Sequence, residues 1–144
     1  KNHSERERII CSSFKWQPLQ ELMQSAPEIK RACIWGKDTF TWPFIASLSP
    51  QVFMDRVNAQ IIHPAIQLVD DSLMEMADQR GWEVFPWCTL LGEENDREGI
   101  WTTMLTYDVD GLCTNYPRHF KFWLEEANRE IDEFNSETDI FRLP

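Results

Sequence analysis

Residues 81–89 read GWEVFPWCT, and residues 109–117 read VDGLCTNYP. Gly81 is typical of a helix end, and the apolar run that follows it predicts a short strand at 82–85. The second stretch predicts another strand at 110–114. Between the two strands, apolar residues recur at helical spacing: Ile100, Trp101, Met104 and Leu105. This part of the chain therefore predicts strand, helix and strand in succession.

The same alternation extends toward the start of the chain. Apolar runs predict three more strands, at 8–12, 31–35 and 59–62. After the first of these strands, one helical face is formed by Leu19, Leu22, Met23 and Ala26, and Pro27 stops the helix. Five strands alternating with helices are thus predicted along the sequence.

Capping signals mark several helix boundaries. Ser49, directly before a proline, predicts an N-cap with proline in the first turn. Ser72 begins an S-x-x-E capping box, which predicts a helix that closes at Gly81. Pro117 opens the last helix, and the tail at 136–144 is predicted to be irregular.

Regular alternation of strands and helices predicts the α/β class, with a parallel sheet and right-handed crossovers. A closed (β/α)8 barrel needs eight such units and typically about 250 residues. Five units in 144 residues fit either an open sheet or part of a barrel. Because the chain has no G-x-G-x-x-G motif and no Walker motif, a nucleotide-binding open sheet is disfavoured.

Composition narrows the classes of function. With 24 acidic and 14 basic residues the formal charge is −10, and no basic cluster is present to hold nucleic acid. No apolar run is long enough to span a membrane. The cysteines, Cys11, Cys33, Cys88 and Cys113, lie in apolar runs without metal-binding spacing, so we expect small buried thiols. Reduced thiols and the lack of a signal peptide favour a cytoplasmic protein.

Three stretches resemble motifs of the glycerophosphodiester phosphodiesterase family. Residues 81–89 resemble its G-x-x-V-x-x-W-T strand, and residues 109–117 resemble its final V-D-G-I-x-T-D-x-P strand. Residues 10–14 resemble its S-F strand. The resemblance implies that residues 1–144 are the last five β/α units of a (β/α)8 barrel, with a charged leader at 1–7. It also implies a phosphoric diester hydrolase that releases glycerol 3-phosphate and an alcohol.

The resemblance further implies which chemistry lies elsewhere. In the family, a His-Arg pair and a second His provide acid–base catalysis, and early strands hold Ca²⁺ or Mg²⁺. The corresponding motifs do not occur in this sequence. Phosphodiester cleavage requires charge neutralisation and an activating base. We therefore expect no catalytic residue and no metal ligand here, and no activity from the chain alone until an N-terminal part of the barrel is added.

Parallel strands without neighbours leave unpaired edges. The sequence therefore predicts a partner, either the N-terminal part of the barrel or a second copy of the chain.

Candidate substrate-binding residues follow the predicted strands, because barrel active sites lie at the carboxyl ends of strands. The rule selects Ser13, Phe14, His63 and Trp87, together with Trp35, Lys37, Thr89 and Asn115. The resemblance implies that Phe14 and Trp87 line the pocket. His63 is interpreted either as a phosphate hydrogen-bond donor or as a structural histidine before a proline. Where the family continues Thr-Val-Asn, this chain has Cys-Thr-Leu at 88–90, so a polar pocket group is shifted or lost.

Two alternative functions stay open at this point. A half-barrel without catalytic groups could be a binding or assembly module. A related lipid-active phosphodiesterase of the phospholipase D-like kind would share the same barrel.

Overall fold

The computed structural model of the protein describes residues 9–36, 49–88 and 97–140, with side chains as far as Ile131. Its strands β1 to β4 span Ile10–Ser13, Lys30–Trp35, Ile61–Pro64 and Glu83–Val84. Its helices α1 to α5 span Trp16–Ser25, Pro50–Val57, Asp71–Arg80, Glu98–Thr106 and Pro117–Ile140. A 3-10 turn at Ile66–Leu68 follows β3.

The four strands form one parallel sheet in the order β1-β2-β3-β4. This confirms the predicted α/β class. The predicted fifth strand lies beside β4 but is reduced to a bridge between Trp87 and Cys113. Its backbone is nonetheless bonded to that of the β4 segment, since the Cys113 N–H donates to the Pro86 carbonyl at 2.9 Å. The sheet therefore grows in chain order across all five predicted positions.

The predicted start of α3 at Ser72 is wrong. Asp70 is the N-cap, and its side chain accepts a hydrogen bond of 2.8 Å from the Leu73 N–H. An aspartate suits this place because its carboxylate bonds to a free N–H group and faces the positive end of the helix dipole. Ser72 lies inside the first turn. The other end agrees with the prediction, since Gly81 closes the helix with a φ of 65°.

The prediction of an irregular tail from residue 136 is also wrong within the described residues, because α5 continues to Ile140. Neither glycine nor proline occurs between Pro117 and Pro144, so no residue in this stretch breaks the helix. The predicted third strand likewise runs two residues further, so His63 lies within β3. Ser49 is confirmed as an N-cap, where its hydroxyl accepts from the Gln51 N–H.

Helices α1, α2 and α3 pack on one face of the sheet. The buried residues of this core include Leu19, Cys33, Phe53, Met54, Val57, Ile62, Leu73, Ala77 and Val84. Cys33 and Cys88 are buried as expected, whereas Cys113 is exposed. Cys113 lies on the other face of the sheet, beside Trp87 at the last strand position.

Arg31 is the only charged residue that is buried in the described part of the chain, with 2% of its surface exposed. Its guanidinium donates to the carbonyls of Val57, Asn58, Ile29 and Pro27 at 2.9–3.2 Å. Two of these carbonyls lie at the C-terminal end of α2, where the helix dipole favours a cation. Arg31 therefore joins β2 to α2 and to the loop before β2.

Among the helices in residues 9–36, 49–88 and 97–140, none has both the length and the apolar character needed to cross a bilayer.

Candidate functional site

The two faces of the sheet have different surroundings. Cys33, Ile62 and Val84 are in register and pack into the core under the helices. Because side chains alternate between the faces along a strand, Ile34 and its neighbour His63 lie on the opposite face. We call that opposite face the inner face. The carboxyl ends of the strands along it form the candidate site, as expected for a β/α barrel.

Trp87 lies on the inner face just beyond the end of β4, with its backbone held on both sides. It bridges Ala65 on one side and Cys113 on the other. Its N–H donates to the Pro64 carbonyl at 2.8 Å, and its own carbonyl accepts from the Ile66 N–H at 3.1 Å. The position of its Cα–Cβ bond is therefore fixed by the sheet.

The indole of Trp87 extends across the sheet toward β2. Its Nε1–H donates to the Trp35 carbonyl at 3.3 Å. A Cβ placed on Gly36 would lie 3.0 Å from Cζ2 of the indole and 3.7 Å from the Ala65 methyl. The ring thus lies over two small residues that follow β2 and β3.

Phe14 completes an aromatic corner with Trp87. The two ring centroids are 5.8 Å apart, and the ring planes are at 84°, an edge-to-face arrangement. Phe14 follows β1 and keeps 42% of its surface exposed. Phe14 and Trp87 are distant in sequence, and the resemblance implies that both line the pocket. In the structure they meet at one end of the sheet. We call this pair the aromatic corner.

His63 lies on the inner face, in register with Ile34 of β2. Its Nδ1 is buried and has no hydrogen-bond partner among the residues that the structure describes. Burial lowers the pKa of His63 below its ordinary value of 6.5, against the opposing effect of a hydrogen bond with the Phe85 backbone. The imidazole is therefore neutral at neutral pH, and a neutral ring attracts a phosphate less than an imidazolium does. Its predicted role as a phosphate donor stays a prediction.

Ser13 lies apart from the aromatic corner. It is in register with Cys33, so its side chain belongs to the helix side of the sheet. Its hydroxyl accepts a hydrogen bond of 3.0 Å from the Lys15 N–H, in the turn before α1. Its predicted contact with substrate stays a prediction.

The other candidates at strand ends lie in different parts of the chain and differ in their surroundings. Lys37 and Thr89 lie outside the described residues. Trp35 packs against the core with its side chain and contributes to the site only through its carbonyl. Asn115 is exposed beyond the bridge at Cys113.

Sequence reasoning missed several residues that shape the site. Gly36 and Ala65 make room for the indole, and Cys113 is exposed beside it. Gly111 lies against the ring of Phe85, since a Cβ there would be 3.4 Å from that ring. Only the strand register relates these residues to one another. Counting from the predicted strand ends would have placed Gly36 opposite His63, because β3 runs two residues further than predicted.

Asp110 stabilises the β4 side of the site. Its carboxylate accepts from the Val84 N–H at 2.7 Å, and its own N–H donates to the Val84 carbonyl at 3.1 Å. Asp108 before it has a φ of 55°, a left-handed conformation that aspartate tolerates in turns. The D-V-D-G stretch at 108–111 thus forms a turn before the Cys113 bridge.

The described residues offer apolar walls and few charges. No group of three or more His, Cys, Asp or Glu side chains within residues 9–36, 49–88 and 97–131 is placed to hold a metal ion. The Ca²⁺ or Mg²⁺ ion that the resemblance implies, with ligands outside this sequence, stays a prediction. What this surface can do chemically is bind an uncharged or weakly polar part of a ligand and exclude water around it.

Comparison with known proteins gives a consistent result. The family model of the glycerophosphoryl diester phosphodiesterase family matches residues 1–119. No curated protein sequence is a significant match. A structure from Silicibacter pomeroyi DSS-3 is similar with a TM-score of 0.70 and 21% identity over 86% of this chain and 40% of that one. One from Galdieria sulphuraria has a TM-score of 0.67 and 21% identity over 83% and 45%. Both are assigned as glycerophosphodiester phosphodiesterases.

A phosphodiesterase from Oleispira antarctica, solved with the product sn-glycerol-3-phosphate, has a TM-score of 0.62 and 16% identity over 81% of this chain and 41% of that one. The chain thus spans less than half the length of these structures. At these identities the likeness concerns the fold, which in the neighbours is a TIM barrel. The predicted placement of this sheet within a (β/α)8 barrel is confirmed.

Proposed function

Because this chain belongs to the glycerophosphoryl diester phosphodiesterase family, we propose that it forms one wall of a phosphodiesterase active site. In the complete barrel, that site hydrolyses glycerophosphodiesters to glycerol 3-phosphate and an alcohol. The observation that carries the proposal is the aromatic corner of Phe14 and Trp87 at the carboxyl end of the sheet. The sn-glycerol-3-phosphate bound to the Oleispira antarctica relative supports this reaction class.

The aromatic corner suits the organic part of such a substrate. Its rings offer apolar contact, and the indole N–H is already bonded to the Trp35 carbonyl. The ring of Trp87 therefore presents carbon rather than a hydrogen-bond donor to a ligand. Contact of this kind restricts water near the phosphorus and positions the ester for attack.

The charged groups of the reaction would come from outside the described residues. Cleavage needs stabilisation of the negative charge on the phosphoryl oxygens and a base that activates the nucleophile. His63 is a neutral imidazole with a buried Nδ1. The Ca²⁺ or Mg²⁺ ion that the resemblance implies would likewise take its ligands from residues outside this part of the chain.

We further propose that the remaining barrel strands pair with the free edge of β1. In the described sheet, β1 pairs with β2 alone. Ile10 and Phe14 are exposed by 44% and 42%, although alternation places both on the inner face. Residues on the interior of a closed barrel are packed by one another. The covering strands would belong either to the N-terminal part of the barrel or to a second copy of this chain.

The proposal is tested by assaying the protein in its complete native form against glycerophosphocholine, beside the 144-residue chain alone. We expect chelator-sensitive release of choline from the complete form and none from the isolated chain. In the complete form, Phe14→Ala should lower kcat/KM about tenfold, since truncating a half-exposed aromatic wall removes roughly 1.5 kcal/mol of contact. Phe122→Ala is the matched control, because Phe122 is 59% exposed on α5 and lies away from the aromatic corner.

Three results would contradict the proposal. Hydrolysis by the isolated chain would mean that the catalytic groups lie within these residues after all. A complete protein that leaves glycerophosphocholine intact but cleaves choline-bearing lipids would favour the lipid-active alternative, and one that cleaves neither would favour a binding or assembly module.

A further inference from the structure

We propose that Gly36 is a positioning residue, which together with the Trp35 carbonyl fixes the indole of Trp87 as a rigid wall of the substrate pocket. The consequence for turnover rests on the proposed function. The consequence for the position of the indole does not, so the two can be tested separately.

Space, rather than backbone conformation, favours glycine at this position. A Cβ on Gly36 would lie 3.0 Å from Cζ2 of Trp87 and 3.8 Å from Cη2. Ordinary carbon–carbon contacts begin near 3.5 Å. In the described chain, Gly81 is the one glycine with a positive φ. Gly36 could therefore accept a side chain conformationally, and the obstacle is the indole.

The indole cannot yield without losing other interactions. Its Nε1–H is bonded to the Trp35 carbonyl at 3.3 Å, and Phe14 meets it edge to face. The Trp35 carbonyl also accepts the Ala65 N–H, so the acceptor itself is fixed by the pairing of β2 with β3. A ring displaced from Gly36 therefore disturbs its hydrogen bond with this acceptor and its contact with Phe14.

The inference follows from what these contacts do together. Residues of three strands hold Trp87. Its backbone bonds to residues at the end of β3, its indole Nε1–H donates to the Trp35 carbonyl of β2, and its ring contacts Phe14 after β1. A pocket wall that is fixed before the ligand arrives loses no side-chain entropy on binding. Gly36 thus contributes to the site by the absence of a side chain, without touching the substrate.

The experiment uses the complete protein with 5-fluorotryptophan incorporated, and the ¹⁹F signal of Trp87 is assigned as the one lost in Trp87→Phe. We expect Gly36→Ala to shift this signal alone among the tryptophans. Gly99→Ala is the matched control, because a Cβ at Gly99 meets nothing within 4 Å. It should leave the Trp87 signal in place. An unmoved signal in Gly36→Ala would overturn the proposal, whether or not the protein is an esterase.

The kinetic arm uses Gly36→Val in two backgrounds. With Trp87 present, kcat/KM for glycerophosphocholine should fall about tenfold or more, since displacement of a positioning group by about 1 Å costs up to about 100-fold. With Trp87→Phe, whose smaller ring leaves room for valine, the same change should cost less than about twofold. An equal loss in both backgrounds would mean that valine acts on the fold and not through the indole. If neither the wild type nor any variant hydrolyses glycerophosphocholine, the proposed function is contradicted. The ¹⁹F shift still decides the role of Gly36.

Discussion

Replacing Arg31 by methionine tests how the half-barrel is held together. Arg31 is buried, with 2% exposure, and within residues 9–36, 49–88 and 97–131 no carboxylate is bonded to its guanidinium. Backbone carbonyls take that place: those of Val57, Ile29 and Asn58 each accept at 2.9 Å. Methionine retains much of the aliphatic stem while removing every donor.

The expected cost follows from these bonds. A hydrogen bond from a charged donor contributes about 1.5–3 kcal/mol, and three well-formed ones would be lost. Removing the charge also removes its desolvation penalty, which offsets part of the loss. The net expectation is that Arg31→Met lowers the free energy of unfolding by about 3–5 kcal/mol. Arg31→Lys should cost about 2 kcal/mol, because one ammonium cannot reach all the carbonyls that lie around the edge of the planar guanidinium.

Urea unfolding followed by far-UV circular dichroism measures both effects. Arg80→Met is the control, since Arg80 pairs with Asp55 at 3.6 Å on the surface, where both side chains are largely exposed. Such a pair contributes about 0–1 kcal/mol. If Arg31→Met lay within about 1 kcal/mol of the wild type, the view that this side chain joins β2 to α2 would be refuted.

Three further outcomes follow from single groups. Burial lowers the pKa of His63 below 6.5, so the unfolded chain takes up this proton first as the pH falls. The contribution of His63 to the free energy of unfolding should therefore be complete above about pH 6.5 and decrease below it. In thermal melts, His63→Gln should remove this part of the dependence of Tm on pH. Burial raises the pKa of the Cys33 thiol to about 12, so iodoacetamide at pH 8 should label the exposed Cys113 and spare Cys33, as read by peptide mass spectrometry. Asp110→Ala should lower the free energy of unfolding by about 1–3 kcal/mol in urea titrations, because the Val84 N–H loses its 2.7 Å acceptor; unchanged stability would mean that water replaces the carboxylate without cost.

The order of strands and helices could be predicted from sequence because its signals are local. The apolar period, the helix end at Gly81 and the N-cap at Ser49 each depend on residues within about one turn of the chain. The structure agrees with each of these signals. Where two local signals competed, the choice was wrong. Asp70 and Ser72 are both good N-cap residues, and in the structure Asp70 caps the N–H of Leu73, which packs in the core.

The candidate site was less predictable because it depends on register. Phe14 and Trp87 were identified through a resemblance and do meet. Ser13, one residue away from Phe14, lies on the other face, since a shift of one position along a strand reverses the side-chain direction. Arg31 resembled an ordinary strand residue, because the carbonyls that hold it are brought together only by the fold.

The agreement between strand order and chain order has a consequence for how the protein is made. Each strand emerging from the ribosome finds its neighbour already synthesised, so the sheet can extend in one direction without waiting for later segments. The carbonyl that receives the indole N–H precedes Trp87 by 52 residues. At about 5–20 residues per second, Trp35 is synthesised about 3–10 s before Trp87. During translation the indole of Trp87 therefore closes onto a receiving edge that is already in place.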